Sequence, residues 1–348
     1  MRQRFPRDIP TQKQGAALLV VLLLVALLAS LAVWVLEDMR LSWRRSVNGQ
    51  IQSQMTWQAL GAESFVRGRI ADLNRSGVTA LTGGWTTRDF LFPTDEGNML
   101  SIQLRDGGNC LNLNGVIAGK GDVTEPSPRG QAQLAALIRR LSPGTDADGI
   151  VAALTDWVDA DTRPTPNGGE DSVYAGLSTP YLTGQTLLAD ETELLAIRGV
   201  TPAVFARLRP YVCALPEAQV TRLNPNTLTL DQAFLLSVLS GGAISEGRAI
   251  ALIRSRPSGG WTGLDPVYTH PALGGETLPQ ALRDQLSLKT QFFVMEASVT
   301  QGQDEAYIRS LFEARPDRIL LHRRALVPPL AGATQLSSAP VSSASPAL

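Results

Sequence analysis

Five carboxylates crowd one short stretch of this chain: Asp156, Asp159, Asp161, Glu170 and Asp171, within Thr155-Asp-Trp-Val-Asp-Ala-Asp-Thr-Arg-Pro-Thr-Pro-Asn-Gly-Gly-Glu-Asp-Ser-Val-Tyr174. Like charges at that density repel unless a cation or an arginine neutralises them. Hard oxygen ligands on a loop of Pro, Asn and Gly suit Ca²⁺ better than a transition metal. The spacing is not that of an EF-hand, and the closing Glu is misplaced. Two other readings stand beside the cation site. Asp156 can cap a helix while Asp159 and Asp161 face solvent, with Arg163 paired to either. Carboxylates across an open loop can also hydrolyse glycosides, but nothing else in the sequence describes a sugar cleft.

Other chemistry is sparse. The two histidines, His270 and His322, lie in no nucleophile motif, and the chain has no GxSxG, P-loop or GxGxxG sequence. The expectation is a protein that is not an enzyme. Cys110 and Cys213 are the only cysteines, without CxxC or Cys/His spacing, which argues against zinc or an iron–sulfur cluster. Outside the cytoplasm they could form one disulfide; otherwise they are two buried thiols, and the sequence leaves both open. The net charge of −1 argues against a generic polyanion binder and predicts no nucleic-acid partner.

Residues Ala16–Leu36, AALLVVLLLVALLASLAVWVL, carry no charge. As a helix they span about 30 Å, the thickness of a bilayer core. Arg2, Arg4, Arg7 and Lys13 precede the run, and Glu37 and Asp38 follow it. The positive-inside rule therefore predicts a single span with a cytoplasmic N-terminus and the large remainder across the membrane. A basic leader ends in Gly15 directly before the apolar block, which resembles a type IV prepilin leader (residues 1–15). The resemblance implies cleavage by a prepilin peptidase between Gly15 and Ala16 and an N-methylated Ala16. Pilins carry Glu at the fifth mature position, where it pairs with the terminal amine of the subunit above; here that position is Val20. An unpaired buried carboxylate is costly, so Val20 suits a subunit with nothing above it, and equally a plain membrane anchor.

Past the membrane, Ile51, Met55, Phe65, Val66, Ile70 and Leu73 predict a continuing helix with one apolar stripe, ending near Asn74–Gly77. Phe90–Phe92 and Met99–Leu104 predict a hairpin. Helical periods follow: Ala132–Leu141, Ala147–Trp157, then the pairs Leu187–Ile197 with Pro202–Val212 and Leu230–Leu239 with Ser245–Arg256. The pairs resemble helix–hairpin–helix units, but the turns Gly199-Val-Thr and Gly242-Ala-Ile each lack the second Gly that lets a backbone approach a phosphate. Strands return at Phe292–Thr300, Glu305–Phe312 and Arg318–Arg323. The expected architecture is α+β: a span at 16–36, a pilin-like part at 37–112, an inserted α-helical domain at 113–286, returning strands at 287–325 and a disordered tail at 326–348.

Several segments in order resemble one family: the Gly15–Ala16 leader, Cys110-Leu-Asn-Leu-Asn114, the Asp156-Trp-x-Asp-x-Asp loop, Glu193-Leu-Leu-x-Ile-Arg-Gly-Val-Thr201, Arg222-x-Asn-x-Asn-Thr227 and Phe292-Phe-x-x-Glu-Ala297. Together they are similar to the K-type minor pseudopilins of bacterial type II secretion, over about Gln14 to Arg324. The resemblance implies a long helix packed on an antiparallel sheet with a large helical insertion. It implies a place at the pseudopilus tip with I- and J-type minor pseudopilins, then the H-type and the major pseudopilin, and contact with secreted substrate. It further implies the inner membrane as location and calcium in the periplasmic domain. A DNA-handling surface protein using the hairpin-like pairs, a generic membrane-anchored periplasmic Ca²⁺-binding protein and a membrane-anchored Ca²⁺-dependent hydrolase are the alternatives.

Overall fold

A computed structural model describes residues 11–86, 88–94, 97–120, 123–273, 278–302 and 304–326, with side chains from residue 17 onward. Most of the expected leader and nearly all of the expected tail lie outside these residues. The chain divides into two compact units, Met1–Met55 and Thr56–Leu348. In the first, α1 (Thr11–Arg75) begins, and every residue from Ala17 to Gln50 is exposed. An 18-residue window of this helix has mean hydropathy 3.1, long and apolar enough to cross a membrane.

In the second unit α1 buries one face. Ala59, Ala62, Glu63, Val66 and Ile70 recur at helical spacing and are each at most 6% exposed. Val66 and Ile70 belong to the apolar stripe read from the sequence; Phe65, also expected there, is 39% exposed. The two alanines and Glu63 complete the face instead.

That face meets a five-stranded sheet of order β1-β2-β7-β8-β9, antiparallel throughout. The strands are β1 (Phe90–Pro93), β2 (Met99–Asp106), β7 (Phe292–Gln301), β8 (Asp304–Ala314) and β9 (Ile319–Ala325). Alternation puts Ile102, Leu104, Phe293, Met295, Ala297, Val299, Ile308 and Phe312 on one buried face, as their register pairs require. Ser310 lies in the same row and donates to Glu63 at 2.8 Å, and Arg324 grips Glu63 at 2.6 and 2.7 Å. Burial opposes ionisation of Glu63, and the Arg324 and Ser310 hydrogen bonds outweigh it, so its pKa is lowered.

β2 and β7 are hydrogen-bonded neighbours, with Asp106 opposite Phe293. The chain leaves the sheet after Asp106 and returns at Phe292, and everything between is built on top of that junction. The first part holds β3 (Leu111–Asn112), β4 (Ile117–Lys120), β5 (Val123–Pro126), α2 (Pro128–Leu141) and α3 (Ala147–Val158). Ser127 caps α2, with Pro at its first position, and Asp146 caps α3. Then come α4 (Asp171–Ala175), α5 (Pro202–Leu208), β6 (Val212–Cys213), α6 (Leu235–Leu239), α7 (Glu246–Arg254), α8 (Asp265–Tyr268) and α9 (Gln280–Arg283).

The helix pairs are shorter than their sequence periods suggested. Leu187–Ile197 contains only a 3-10 helix, Glu191–Ala196, because Asp190 is extended and starts it with a capping box to Glu193. The helix expected to reach Val212 stops at Leu208, passes through a 3-10 turn containing Pro210 and enters β6. The helix expected from Leu230 is regular only over Leu235–Leu239. These apolar residues fill one continuous core, so burial holds them where helix propensity alone would not.

The junction is closed by side chains that imitate backbone. Gly107 N–H donates to Phe292 O at 2.8 Å. Asn109, Asn112, Asn114, Asn224 and Asn226 are buried, and each both donates to and accepts from main chain. Asn112, for example, accepts from Leu215 N–H and donates to Glu217 O and Gln219 O. Asp106 accepts from Gly108 N–H at 2.8 Å, Thr227 Oγ1 at 2.6 Å and Thr290 Oγ1. Burial raises its pKa against those hydrogen bonds.

β3 and β6 pair in parallel, with Leu111 opposite Val212, and Cys110 and Cys213 form a disulfide with Cα atoms 5.8 Å apart. The bridge closes a separation of 103 residues within the insertion. The Cys110→Ser/Cys213→Ser double variant is expected to lose about 2–4 kcal/mol of stability, because cross-linking a long loop restricts the unfolded chain. Urea denaturation checks this: reduced wild type should match the variant, and an unchanged midpoint would contradict the assignment.

Candidate metal centre

Helix α3 delivers the site. Its residues Ile150, Ala153, Leu154 and Trp157 pack into the insertion core, which fixes where its C-terminal end emerges. Asp156, in the last turn, is fully buried. Its carboxylate accepts from Thr165 N–H at 2.9 Å and Gly169 N–H at 2.7 Å, folding the loop back onto the helix end. Gly168 makes this close approach possible, since a Cβ there would lie 2.0 Å from Asp156 Oδ2. Asn167 adopts the left-handed region that Asn tolerates, at φ 66°, and its carbonyl accepts from the Arg198 guanidinium.

The fold-back has one chemical result. Asp159, where the chain turns extended after α3, Asp161, and Glu170, which precedes α4, each offer an oxygen, and these oxygens lie within 4.8 Å of one another. Asp159 and Glu170 are each 7% exposed; Asp161 faces solvent. Asp159 Oδ1 and both oxygens of Glu170 are buried with no hydrogen-bond partner. Burial first, then the neighbouring Asp161, Asp156 and Glu170, pushes Asp159 up to about 7. Burial and the charges of Asp156, Asp161 and Asp171 likewise raise Glu170.

Of the five carboxylates singled out by sequence, the fold brings three together and gives two other work. Asp156 shapes the loop. Asp171 accepts from Thr183 N–H at 2.8 Å and Thr183 Oγ1 at 2.6 Å, which lowers its pKa. Asp161 also accepts one backbone bond, from Arg163 N–H at 2.7 Å, so what sets the site apart is the buried pair, Asp159 and Glu170, whose oxygens are left unpartnered. The donor set is all oxygen, with buried orphaned atoms, which fits a hard divalent cation of the calcium kind. Asp159, Asp161 and Glu170 would hold it, and the ion would supply the charge that stops them repelling.

The histidines lie elsewhere. His270 Nε2 is 3.2 Å from Ser255 Oγ, and His322 Nε2 is 2.7 Å from Glu313 Oε2. Sequence reasoning missed Glu191. It is 4% exposed and lies 2.6 Å from Arg309 and 3.3 Å from Arg323, tying the insertion to β8 and β9. Burial would raise its pKa; Arg309 and Arg323 outweigh this and hold it at about 2. The capping box at Asp190–Glu193 was the one local signal near it.

Two family models described as type II secretion system (T2SS), protein K match residues 109–217 and 223–289. A type II secretion system protein K from Pectobacterium carotovorum subsp. carotovorum is 33% identical over 322 residues, 90% of this chain and 96% of the relative. One from Klebsiella pneumoniae is 32% identical over 305 residues, covering 87% and 93%. Among solved structures, a chain in the crystal structure of the GspK–GspI–GspJ complex of enterotoxigenic Escherichia coli superposes with TM-score 0.71 at 26% identity, covering 82% of this chain and all of that one.

The raised pKa of Asp159 gives a pH test with a defined sign. The folded, metal-free protein holds this proton more tightly than the unfolded chain, so the group stabilises at low pH and that contribution is lost as pH rises from about 4 through about 7. Glu191 acts oppositely, losing its contribution only as pH falls from about 4.5 toward about 2, so pH 5–8 avoids its titration, and the calcium-dependent part of the change singles out the acidic site from the other raised carboxyls, Asp106 and Glu217. Calcium at about 100 times its Kd should raise Tm by about 5–10 °C at pH 8 and much less at pH 5. Thermal unfolding in calcium and in chelator measures this, and Asp159→Asn should abolish the difference.

Proposed function

We propose a fibre-tip role for this chain, which belongs to the type II secretion system protein K family. The observation that carries the proposal is the insertion. A second folded body grows from between two adjacent strands of a helix-on-sheet unit. A shaft of repeated subunits, packed closely around their N-terminal helices, has no room for such a body on every member. It is accommodated at an end, where no further subunit follows. The protein is then a minor pseudopilin without enzymatic activity. It caps and nucleates the pseudopilus, which pushes folded cargo toward the outer membrane. The complex of the structural neighbour contains GspI and GspJ, which supports I- and J-type pseudopilins as the partners here, with the H-type and major pseudopilins below.

The remaining parts follow from the sequence. The apolar segment anchors the precursor in the inner membrane as a single span, with its N-terminus cytoplasmic and the larger unit periplasmic. A prepilin peptidase removes residues 1–15 at Gly15–Ala16, leaving N-methylated Ala16. The backbone of both residues is within α1. Val20 stands where a pilin carries Glu, as befits a subunit with no amine above it to neutralise. Residues 107–291 form the insertion, and Ca²⁺ is held by Asp159, Asp161 and Glu170.

The decisive measurement is the mature N-terminus by mass spectrometry, after expression with and without a prepilin peptidase. The expected result is a start at methylated Ala16 only when the peptidase is present. A start at Met1 in both cases, or cleavage after Leu36, would remove the fibre role.

A further inference from the structure

Beyond the ligands, the acidic site is wired to a neighbouring segment. Residues 176–190 contain no regular helix or strand, yet three anchors hold them to the elements that carry the ligands. Thr183 is bound through its amide and hydroxyl to Asp171, the residue after Glu170. Tyr181 lies 5.3 Å from the Tyr174 ring and 6.1 Å from the Trp157 ring, and its hydroxyl donates to Ala196 O at 2.9 Å. Gly184 sits over Trp157 so closely that a Cβ would lie 2.9 Å from the indole Nε1. That Nε1 is buried without a hydrogen-bond partner.

These anchors belong to two different walls. Trp157 is in the last turn of α3, two residues before Asp159. Asp171 and Tyr174 are in α4, directly after Glu170. The strap can be closed only while the end of α3 and the start of α4 stay together. Asp159 and Asp161 on one side and Glu170 on the other are like charges that drive those two ends apart. Asp156 holds the intervening loop through Thr165 and Gly169, but it adds a further negative charge to the same place. A divalent cation shared by the three carboxylates reverses the sign of that interaction.

We propose that cation binding at Asp159, Asp161 and Glu170 clasps the 176–185 strap onto Trp157 through helix α4, with Asp171 and Thr183 as the positioning pair that transmits it. The proposal rests on the metal reading above. The clasp governs how Leu177 and Leu182, 45% and 64% exposed, are presented beside the site. In the loaded state the strap is pinned at Tyr181, Thr183 and Gly184, and these leucines project from a fixed backbone. In the metal-free state α4 separates from the end of α3, the Asp171–Thr183 and Tyr174–Tyr181 contacts open, and the strap becomes a protease substrate.

The test uses the full chain in detergent at pH 7.5. Calcium binding is followed by calorimetry, and chymotryptic cleavage at Leu177, Tyr181 and Leu182 is timed in 1 mM calcium and in EGTA. Calcium is expected to slow cleavage within 176–185 about tenfold or more, because cleavage follows the population of the open form. Asp171→Asn and Thr183→Ala should each retain calcium affinity within about threefold, yet be cut in calcium as fast as metal-free wild type, since they break the linkage and leave the ligands in place. If calcium binds and cleavage in the strap is unchanged, the clasp is wrong and the metal site stands. If calcium does not bind, both fall. If both variants keep full calcium protection, or both abolish binding, Asp171 and Thr183 do not transmit it.

Discussion

Strands β2 and β7 lie side by side, yet residues 107–291 separate them along the chain. Both ends of a large insertion must therefore meet within one strand spacing, and the rest of the larger unit is arranged around that requirement. Backbone leaving a sheet carries amides and carbonyls that no ladder satisfies, and burying them unpaired is costly. The buried asparagines answer this by presenting an amide donor and acceptor like those of the peptide itself. Asn109 and Asn224 bond each other's segments, and Asn224 also reaches Thr79 O, behind the end of α1. The Cys-Leu-Asn-Leu-Asn and Arg-Leu-Asn-Pro-Asn-Thr motifs are thus fastenings of the junction. The disulfide secures the same region covalently from inside the insertion.

The sheet mediates between the two bodies by keeping its faces chemically distinct. The face toward α1 is apolar, with one buried carboxylate, Glu63, satisfied by Ser310 and Arg324. The opposite face carries Arg105, Glu296 and Arg309, and Arg309 reaches Glu191 of the insertion. Arg323 adds Asp190 at 2.8 Å. Removing either charge from such a buried pair leaves its partner uncompensated, which fixes geometry more than it adds net stability. An insertion tied both at its neck and across this ionic face is held as a body on the sheet.

In the acidic loop, carboxylate side chains do opposite things according to what surrounds them. Asp156 and Asp171 accept hydrogen bonds from the loop and from the strap, and so build local structure. Asp159 and Glu170 are carried into burial by that structure and left with unpartnered oxygens. The first pair creates the concentration of charge by gathering oxygens of the second pair and Asp161 within 4.8 Å of one another.

Much of this was written locally in the sequence. The apolar run, the Gly15–Ala16 junction, Val20, the β1–β2 hairpin and the closing strands are patterns of adjacent residues, and neighbours along the chain determine them. The existence of an acidic site was legible for the same reason, as was the α+β class. What only tertiary structure decided is every relation between distant segments: the meeting of β2 with β7, the proximity of Cys110 to Cys213, and the pairing of Glu191 with Arg309. It also decided which carboxylates converge, because the folded loop and the strap bring donors to Asp156 and Asp171 and leave oxygens of Asp159 and Glu170 buried without partners. The short helices of the insertion were overread for a related reason. Their apolar spacing records burial in a shared core, and burial holds a 3-10 turn or an extended segment as readily as a helix.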